Sequence, residues 1–164
     1  MVIDLKRFFQ ADGVEEAVRC GLDFSGVELG GAKPFCAPVE VEARLKSFAG
    51  SVAMEERVSF RLTMPCDRCA AVFTRDYAQS YTHTLVRETQ GEEDGQLVLV
   101  PEEKLDLQEL VLEDLLLDMP GQFLCKEDCK GLCHLCGKDL NEGPCACGEP
   151  ATDPRLEVLR QLLQ

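Results

Sequence analysis

Cysteines crowd one stretch of this chain, LCKEDCKGLCHLCGKDLNEGPCACG (124–148), and two more lie in PCDRCA (65–70). Eight of the ten cysteines form four local pairs: Cys66/Cys69, Cys125/Cys129, Cys133/Cys136 and Cys145/Cys147. Two residues between cysteines allow a turn to direct both sulfurs at one ion about 2.3 Å away, and two such turns complete the tetrahedron of a structural zinc site. The spacing therefore predicts two Zn²⁺ ions, each held by four thiolates.

The grouping of the pairs follows from the lengths of the loops between them. Cys133-His134-Leu135-Cys136-Gly137 is a zinc-knuckle signature, and Cys145/Cys147 is its expected partner because the short loop 137–144 closes at little entropic cost. Cys66/Cys69 would then meet Cys125/Cys129 and attach the C-terminal segment to the sheet. A grouping of Cys66/Cys69 with Cys133/Cys136 remains open. In either case four thiolates leave no open position on zinc, so the metal would stabilise folding without chemistry.

The pair Cys66-Asp67-Arg68-Cys69 also permits thiol–disulfide chemistry. Redox pairs of the thioredoxin type begin a helix, whereas strand-like sequence flanks this pair on both sides. A thiol redox protein, or a zinc-dependent redox switch, is the alternative function.

The remaining candidates for chemistry are isolated side chains. We expect His134 to face solvent, His83 to be a surface or hydrogen-bonded histidine, and Cys20 and Cys36 to be small buried hydrophobic residues. The sequence has no phosphate-binding glycine loop and no serine-nucleophile elbow. We therefore predict a protein that is not an enzyme and has no small-molecule substrate.

Composition limits the partners and the compartment. Net charge is −13 and the pI is near 4.5, which disfavours coating of RNA and favours a basic protein partner. A sequence cluster of Arg57, Arg61, Arg68 and Arg75 leaves direct RNA binding open. No signal sequence or membrane span is recognisable, so we expect a cytoplasmic protein, where thiols stay reduced and dense cysteines indicate metal.

Hydrophobic periodicity predicts the elements that position the cysteines. Strands are predicted at 39–48, 56–64, 72–86 and 96–100, an exposed loop at 88–95, and helices near Glu15–Cys20, at 107–115 behind an Asp106 N-cap, and at 153–164. Together they predict an α+β fold: an antiparallel sheet with a packed helix in residues 1–122, then a cysteine-rich zinc module with a terminal helix docked on the sheet domain in residues 123–164.

CDRC (66–69) between two strands, a leucine-rich acidic helix, CKEDCKGLCHLCGKDLNEGPCACG and a terminal DPRLEVLRQLL together resemble the YceD family of large ribosomal RNA subunit accumulation proteins. The resemblance covers roughly residues 60–164. It implies a non-enzymatic, cytoplasmic or chloroplast factor needed for accumulation of large-subunit (23S) ribosomal RNA. Cys66 and Cys69 match the family's hairpin pair, and the six later paired cysteines match its cysteine-rich tail. We expect the partner to be a basic ribosomal protein or an assembly factor.

Overall fold

Strands dominate the computed structural model, which describes residues 1–88 and 97–147. The elements in chain order are β1 (Val2–Asp4), α1 (Lys6–Gln10), β2 (Glu15–Leu22), β3 (Val39–Phe48), β4 (Ser51–Pro65), β5 (Val72–Val86), β6 (Leu97–Leu99), β7 (Lys104–Asp106), α2 (Leu107–Leu117) and a 3₁₀ turn (Leu140–Glu142). The predicted fold class is confirmed in part, since an antiparallel sheet and helices are present but the chain is mostly sheet.

Among the described residues, the main sheet has five strands in the order β2-β3-β4-β5-β6, and β1 pairs with β7 separately. β3 alternates strictly between buried and exposed residues, and β4 does so except at the half-buried Ser51 and Thr63, as expected for strands with one face in the core. The predicted ranges of β3 and β5 match the structure, and β4 begins five residues before the predicted strand. The prediction of a short strand near residue 97 is also confirmed, although β6 pairs with β5 in parallel.

The predicted helix near Glu15–Cys20 is wrong, because these residues belong to β2. All eight residues of this strand, Glu15–Leu22, pair antiparallel with β3, from Glu15 opposite Lys46 to Leu22 opposite Val39. Glu and Ala favour helix locally, but the ladder to β3 satisfies the backbone of the whole segment and overrides that preference.

Helix α2 forms where the periodicity predicts it. The Asp106 side chain accepts a hydrogen bond from the Gln108 N–H, which confirms the N-cap, and Leu107, Leu110, Val111 and Leu115 are buried. Asp114 lies on the same face of the helix as these residues, and its Oδ2 is 2.8 Å from Nε2 of His83 in β5. This pair brings α2 into contact with β5.

The chain forms two compact units. One contains Met1–Met64 and Val72–Gln122, and the other contains Pro65–Ala71 with the described residues 123–147. The predicted division at residue 122 stays a prediction. Residues 89–96, most of the predicted loop, and 153–164, the predicted terminal helix, lie outside the described residues. No helix among the described residues is long and apolar enough to cross a membrane.

Candidate metal centres

Four cysteines from two distant segments meet in the first cysteine cluster: Cys66, Cys69, Cys125 and Cys129. Their Sγ atoms all lie within 4.8 Å of one another, and the pairs Cys66/Cys129 and Cys69/Cys125 are each separated by 3.7 Å. Tetrahedral zinc with bonds of about 2.3 Å would hold its sulfurs about 3.8 Å apart. The donor set and its spacing therefore fit a zinc ion.

The second cysteine cluster is local in sequence and more exposed. It consists of Cys133, Cys136, Cys145 and Cys147, whose Sγ atoms also lie within 4.8 Å of one another. The Sγ atoms of Cys133 and Cys145 are 3.4 Å apart, well beyond the length of a disulfide bond of about 2.05 Å. Cys133 is buried, whereas Cys136 and Cys147 are exposed.

A tight turn between β4 and β5 presents Cys66 and Cys69. The Ala70 N–H donates to the Cys66 carbonyl at 2.8 Å, and the Cys66 N–H donates to the Ala71 carbonyl at 2.9 Å. Ala70 adopts a left-handed φ of 58°, which reverses the chain within this short loop. Cys66 and Cys69 are only 3% and 7% exposed, so an ion bound to them would be shielded from water.

Main-chain and side-chain hydrogen bonds hold the segment after Gln122 against this turn. The Asp67 N–H donates to the Phe123 carbonyl at 2.9 Å, and the Phe123 N–H donates to the Asp67 carboxylate. The Arg68 carbonyl accepts from the Leu132 N–H at 3.0 Å, while the Arg68 guanidinium donates to the Cys129 carbonyl at 2.9 Å. Asp67 and Arg68 thus position the two halves of the first cluster, a role that cysteine spacing alone could not reveal.

Backbone N–H groups around the sulfur atoms favour the thiolate form of Cys66 and Cys133. Burial opposes ionisation of Cys66, but N–H groups of Cys125, Cys69 and Arg68 lower its pKa to about 6. The N–H groups of Cys136 and Leu135 lower the pKa of Cys133 to about 6 in the same way. Each cluster therefore contains a thiol that ionises readily, as a metal ligand must.

Asn141 supports the first cluster from the 3₁₀ turn next to the second. Its Nδ2 donates to the Cys129 Sγ at 3.4 Å, and this contact is the main cause that lowers the pKa of Cys129. Its Oδ1 accepts from the Lys130 N–H at 3.0 Å. An amide donor to a ligating sulfur is the type of contact that orients ligands in metal sites.

The structure groups the cysteines in the first of the two predicted arrangements, and Cys66/Cys69 do not join Cys133/Cys136. Metal ligation itself stays a prediction for all eight. His134 is exposed and outside both clusters, whereas His83 is buried and paired with Asp114. The expectation that Cys20 and Cys36 are both buried is wrong. Cys36 is exposed, because it lies in the connection between β2 and β3, and Cys20 of β2 is half-buried.

The four arginines that cluster in sequence differ in their surroundings. Arg61 donates through Nε to Asp76 at 2.6 Å, Arg68 binds the Cys129 carbonyl, and Arg75 lies over the Phe73 ring at 5.3 Å. Arg57 and Arg61 share the exposed face of β4, as their even spacing predicts. Three of the four arginines thus already contact an acidic, carbonyl or aromatic group.

Comparison with known proteins gives the family. Uncharacterised proteins of Mycobacterium tuberculosis (strain ATCC 25618 / H37Rv) and Mycobacterium bovis are each 27% identical over 161 residues, which cover 93% of this chain and 72% of theirs. YlbN of Bacillus subtilis (strain 168), also uncharacterised, is 27% identical over 130 residues, which cover 78% of this chain and 76% of YlbN. No solved structure matches at a significant level. A family model matches residues 54–163, the region with both cysteine clusters, and the chain thus belongs to the YceD family, the large ribosomal RNA subunit accumulation proteins.

Proposed function

We propose that this protein is a zinc-stabilised accessory factor of ribosome biogenesis that supports accumulation of 23S ribosomal RNA by binding a basic protein partner. Membership of the YceD family, over residues 54–163, is the single observation that carries the role in RNA accumulation. The zinc and the partner rest on separate arguments from the chain itself.

The chemistry of the two cysteine clusters supports zinc. Each offers four soft sulfur donors within 4.8 Å, and soft thiolate sets select zinc over hard cations such as Mg²⁺. Filling all four positions with protein sulfur leaves none for a water or substrate, so the metal would act on stability alone. The role would then be binding and not catalysis.

The charge of the chain supports a basic protein partner over RNA. With 30 acidic and 17 basic residues, the protein would repel the phosphate backbone at long range and attract a cationic surface. Arg61 and Arg68, two of the basic groups nearest the turn between β4 and β5, are already engaged with Asp76 and the Cys129 carbonyl. This leaves less cationic surface for phosphates.

A cellular experiment tests the accumulation role. Cells that lack the gene should contain less 23S relative to 16S ribosomal RNA, and the wild-type gene should restore the ratio. Cys66→Ser and Cys133→Ser should restore it incompletely, whereas Cys36→Ser, an exposed cysteine outside both clusters, should restore it fully. An unchanged ratio in cells without the protein would refute the proposed function.

A binding experiment tests the partner. Purified protein is titrated with individual large-subunit ribosomal proteins and, separately, with fragments of 23S RNA at several salt concentrations. We expect binding to a basic protein and little retention of RNA. Retention of RNA that falls steeply with salt would instead show direct RNA binding, because phosphate contacts release counterions.

A zinc-dependent redox switch is the second candidate function, and the exposure of Cys136 and Cys147 favours it. Exposed zinc thiolates can be oxidised, with loss of the metal and formation of a disulfide. Mild peroxide with a colorimetric zinc indicator separates the two functions. A structural site keeps its zinc, whereas a switch releases zinc in step with loss of free thiols.

A further inference from the structure

Glu56 lies at a position of β4 where the alternation of buried and exposed residues predicts an apolar side chain. Glu56 is only 1% exposed. Met54 and Val58, two residues before and after it, are fully buried. Glu55 and Arg57 face solvent. A charged side chain on the core face of a central strand is costly and calls for a compensating group.

Hydrogen bonding does not supply that compensation. Two ionised carboxylates cannot bond each other, so Asp114 could bond Glu56 only through a shared proton, and neither oxygen of Glu56 has any other hydrogen-bond partner among the residues that the structure describes. Buried polar atoms are bonded in the great majority of cases, and an ionised carboxylate without a partner is the most expensive exception. The group therefore needs either a proton or a cation.

Two further ligand-type side chains face Glu56 from other elements. His83 comes from β5 and Asp114 from α2, and their Nε2 and Oδ2 atoms are 2.8 Å apart. One donor atom from each of the three side chains lies within 4.8 Å of the other two. The side chains of His83 and Asp114 are 11% and 13% exposed, so the three groups share an environment largely without water.

Electrostatics in this environment favours the arrival of positive charge. Burial, followed by the charge of Asp114, raises the pKa of Glu56 to about 7. Two carboxylates in close contact repel each other, and although the hydrogen bond to Asp114 raises the pKa of His83, one imidazolium would offset only one unit of their combined charge. A divalent cation would cancel it in full.

We propose that Glu56, His83 and Asp114 form a third cation site, which takes a divalent first-row transition metal ion through one nitrogen and two carboxylate donors. Ligand atoms around such an ion, with bonds of about 2.1 Å, lie about 3 Å apart. The observed His83–Asp114 distance is close to that spacing. The ion would connect β4, β5 and α2, three elements that no cysteine cluster joins.

The donor set distinguishes this site from the cysteine clusters. Imidazole and carboxylate ligands accept Mn²⁺, whereas thiolate sites already loaded with zinc exchange poorly for Mn²⁺, the weakest binder of the divalent series. Manganese is therefore the probe. Free Mn²⁺ is followed by electron paramagnetic resonance while it is titrated into the full zinc-loaded chain.

We expect one Mn²⁺ per wild-type chain. Glu56→Gln, which keeps the size and removes the charge, should weaken binding by a factor on the order of ten or more. Glu55→Gln is the matched control, because this adjacent residue of the same strand faces solvent. It should bind Mn²⁺ like the wild type.

A second variant and a second readout secure the result against a folding defect. Asp114→Asn should lose the same Mn²⁺, and Mn²⁺ should raise the Tm of the wild type and of Glu55→Gln but not of Glu56→Gln or Asp114→Asn. Absence of Mn²⁺ binding by the wild type would overturn the proposal, and would mean that a proton and not a metal ion neutralises the buried Glu56. Equal binding by folded Glu56→Gln or Asp114→Asn would also overturn it, because the ion would then lie elsewhere.

Discussion

Gly131 lies directly against the backbone of Arg68: a Cβ added to Gly131 would be 2.9 Å from the Arg68 carbonyl oxygen. The same carbonyl accepts the hydrogen bond of Leu132, so it cannot move away without loss of that contact. Gly131 also has a left-handed φ of 73°. Close approach of the two segments thus requires a residue without a side chain at this position.

Gly131→Ala should therefore destabilise the first cysteine cluster. Gly137→Ala is a closely matched control, because Gly137 has the same φ of 73° but open space around its Cα. The left-handed conformation should cost the control about 1–2 kcal/mol, and Gly131→Ala should cost more because the clash is added. Thermal denaturation with zinc quantification measures both. Equal losses in the two variants would show that the contact with Arg68 is unimportant.

Single cysteine variants should separate the two clusters. Cys66→Ser should lose the zinc of the first cluster and keep that of the second, and Cys133→Ser should do the opposite, because no sulfur belongs to both. Native mass spectrometry of the reduced protein should count two zinc ions in the wild type and in Cys36→Ser, and one in each cluster variant. Loss of both ions in Cys133→Ser, with a folded sheet, would contradict independent sites.

Asn141→Asp should weaken zinc binding at the first cluster. The change keeps an acceptor for the Lys130 N–H but replaces the donor to Cys129 with a negatively charged oxygen. Loss of such a supporting contact typically lowers metal affinity about 10–100-fold. Competition with a chelator measures the change, and Glu142→Gln, at the exposed neighbouring residue, is the control. Unchanged affinity would show that the amide does not influence the metal.

Asp106 should stabilise α2 in a pH-dependent way. Its pKa is lowered, first by the amino terminus 3.3 Å away and then by the N–H groups of Gln108 and Glu109. A carboxyl with a lowered folded pKa adds stability above its unfolded pKa and loses it as the pH falls through the folded value. Asp106→Ala should therefore lower the Tm at neutral pH, and the difference from the wild type should shrink towards pH ~3. A difference in Tm that is constant with pH would contradict this role of the carboxylate.

The sequence predicts those parts of the fold that depend on local periodicity. The alternation in β3 and β4 and the cap and stripe of α2 are local signals, and all three elements form near the predicted positions. The helix predicted near Glu15–Cys20 failed because a long-range ladder to β3 decided that segment. One member of the third group of ligand-type residues could have been noticed in the sequence, since Glu56 falls at a position where the period-two pattern of β4 predicts a buried residue.

The grouping of the cysteines could be predicted, but the contacts that support it could not. Loop length favours the pairing of Cys133/Cys136 with Cys145/Cys147, which leaves Cys66/Cys69 for Cys125/Cys129, and the structure shows this one of the two arrangements that the sequence leaves open. The close approach of Gly131 to Arg68 and the donor from Asn141 to Cys129 arise only when distant segments meet. No spacing rule within one segment can identify such residues.

The first cluster also sets an order of events while the chain is synthesised. Cys66 and Cys69 leave the translating ribosome long before Cys125 and Cys129, and at about 5–20 residues per second the interval is about 3–12 seconds. The second cluster closes across 137–144 alone, and the loop 70–124 of the first, roughly seven times longer, costs about 2 kcal/mol more to close. During that interval Cys66 and Cys69 lack the other two cysteines of their cluster, and the cluster can close only if both thiols are still reduced when Cys125 and Cys129 arrive.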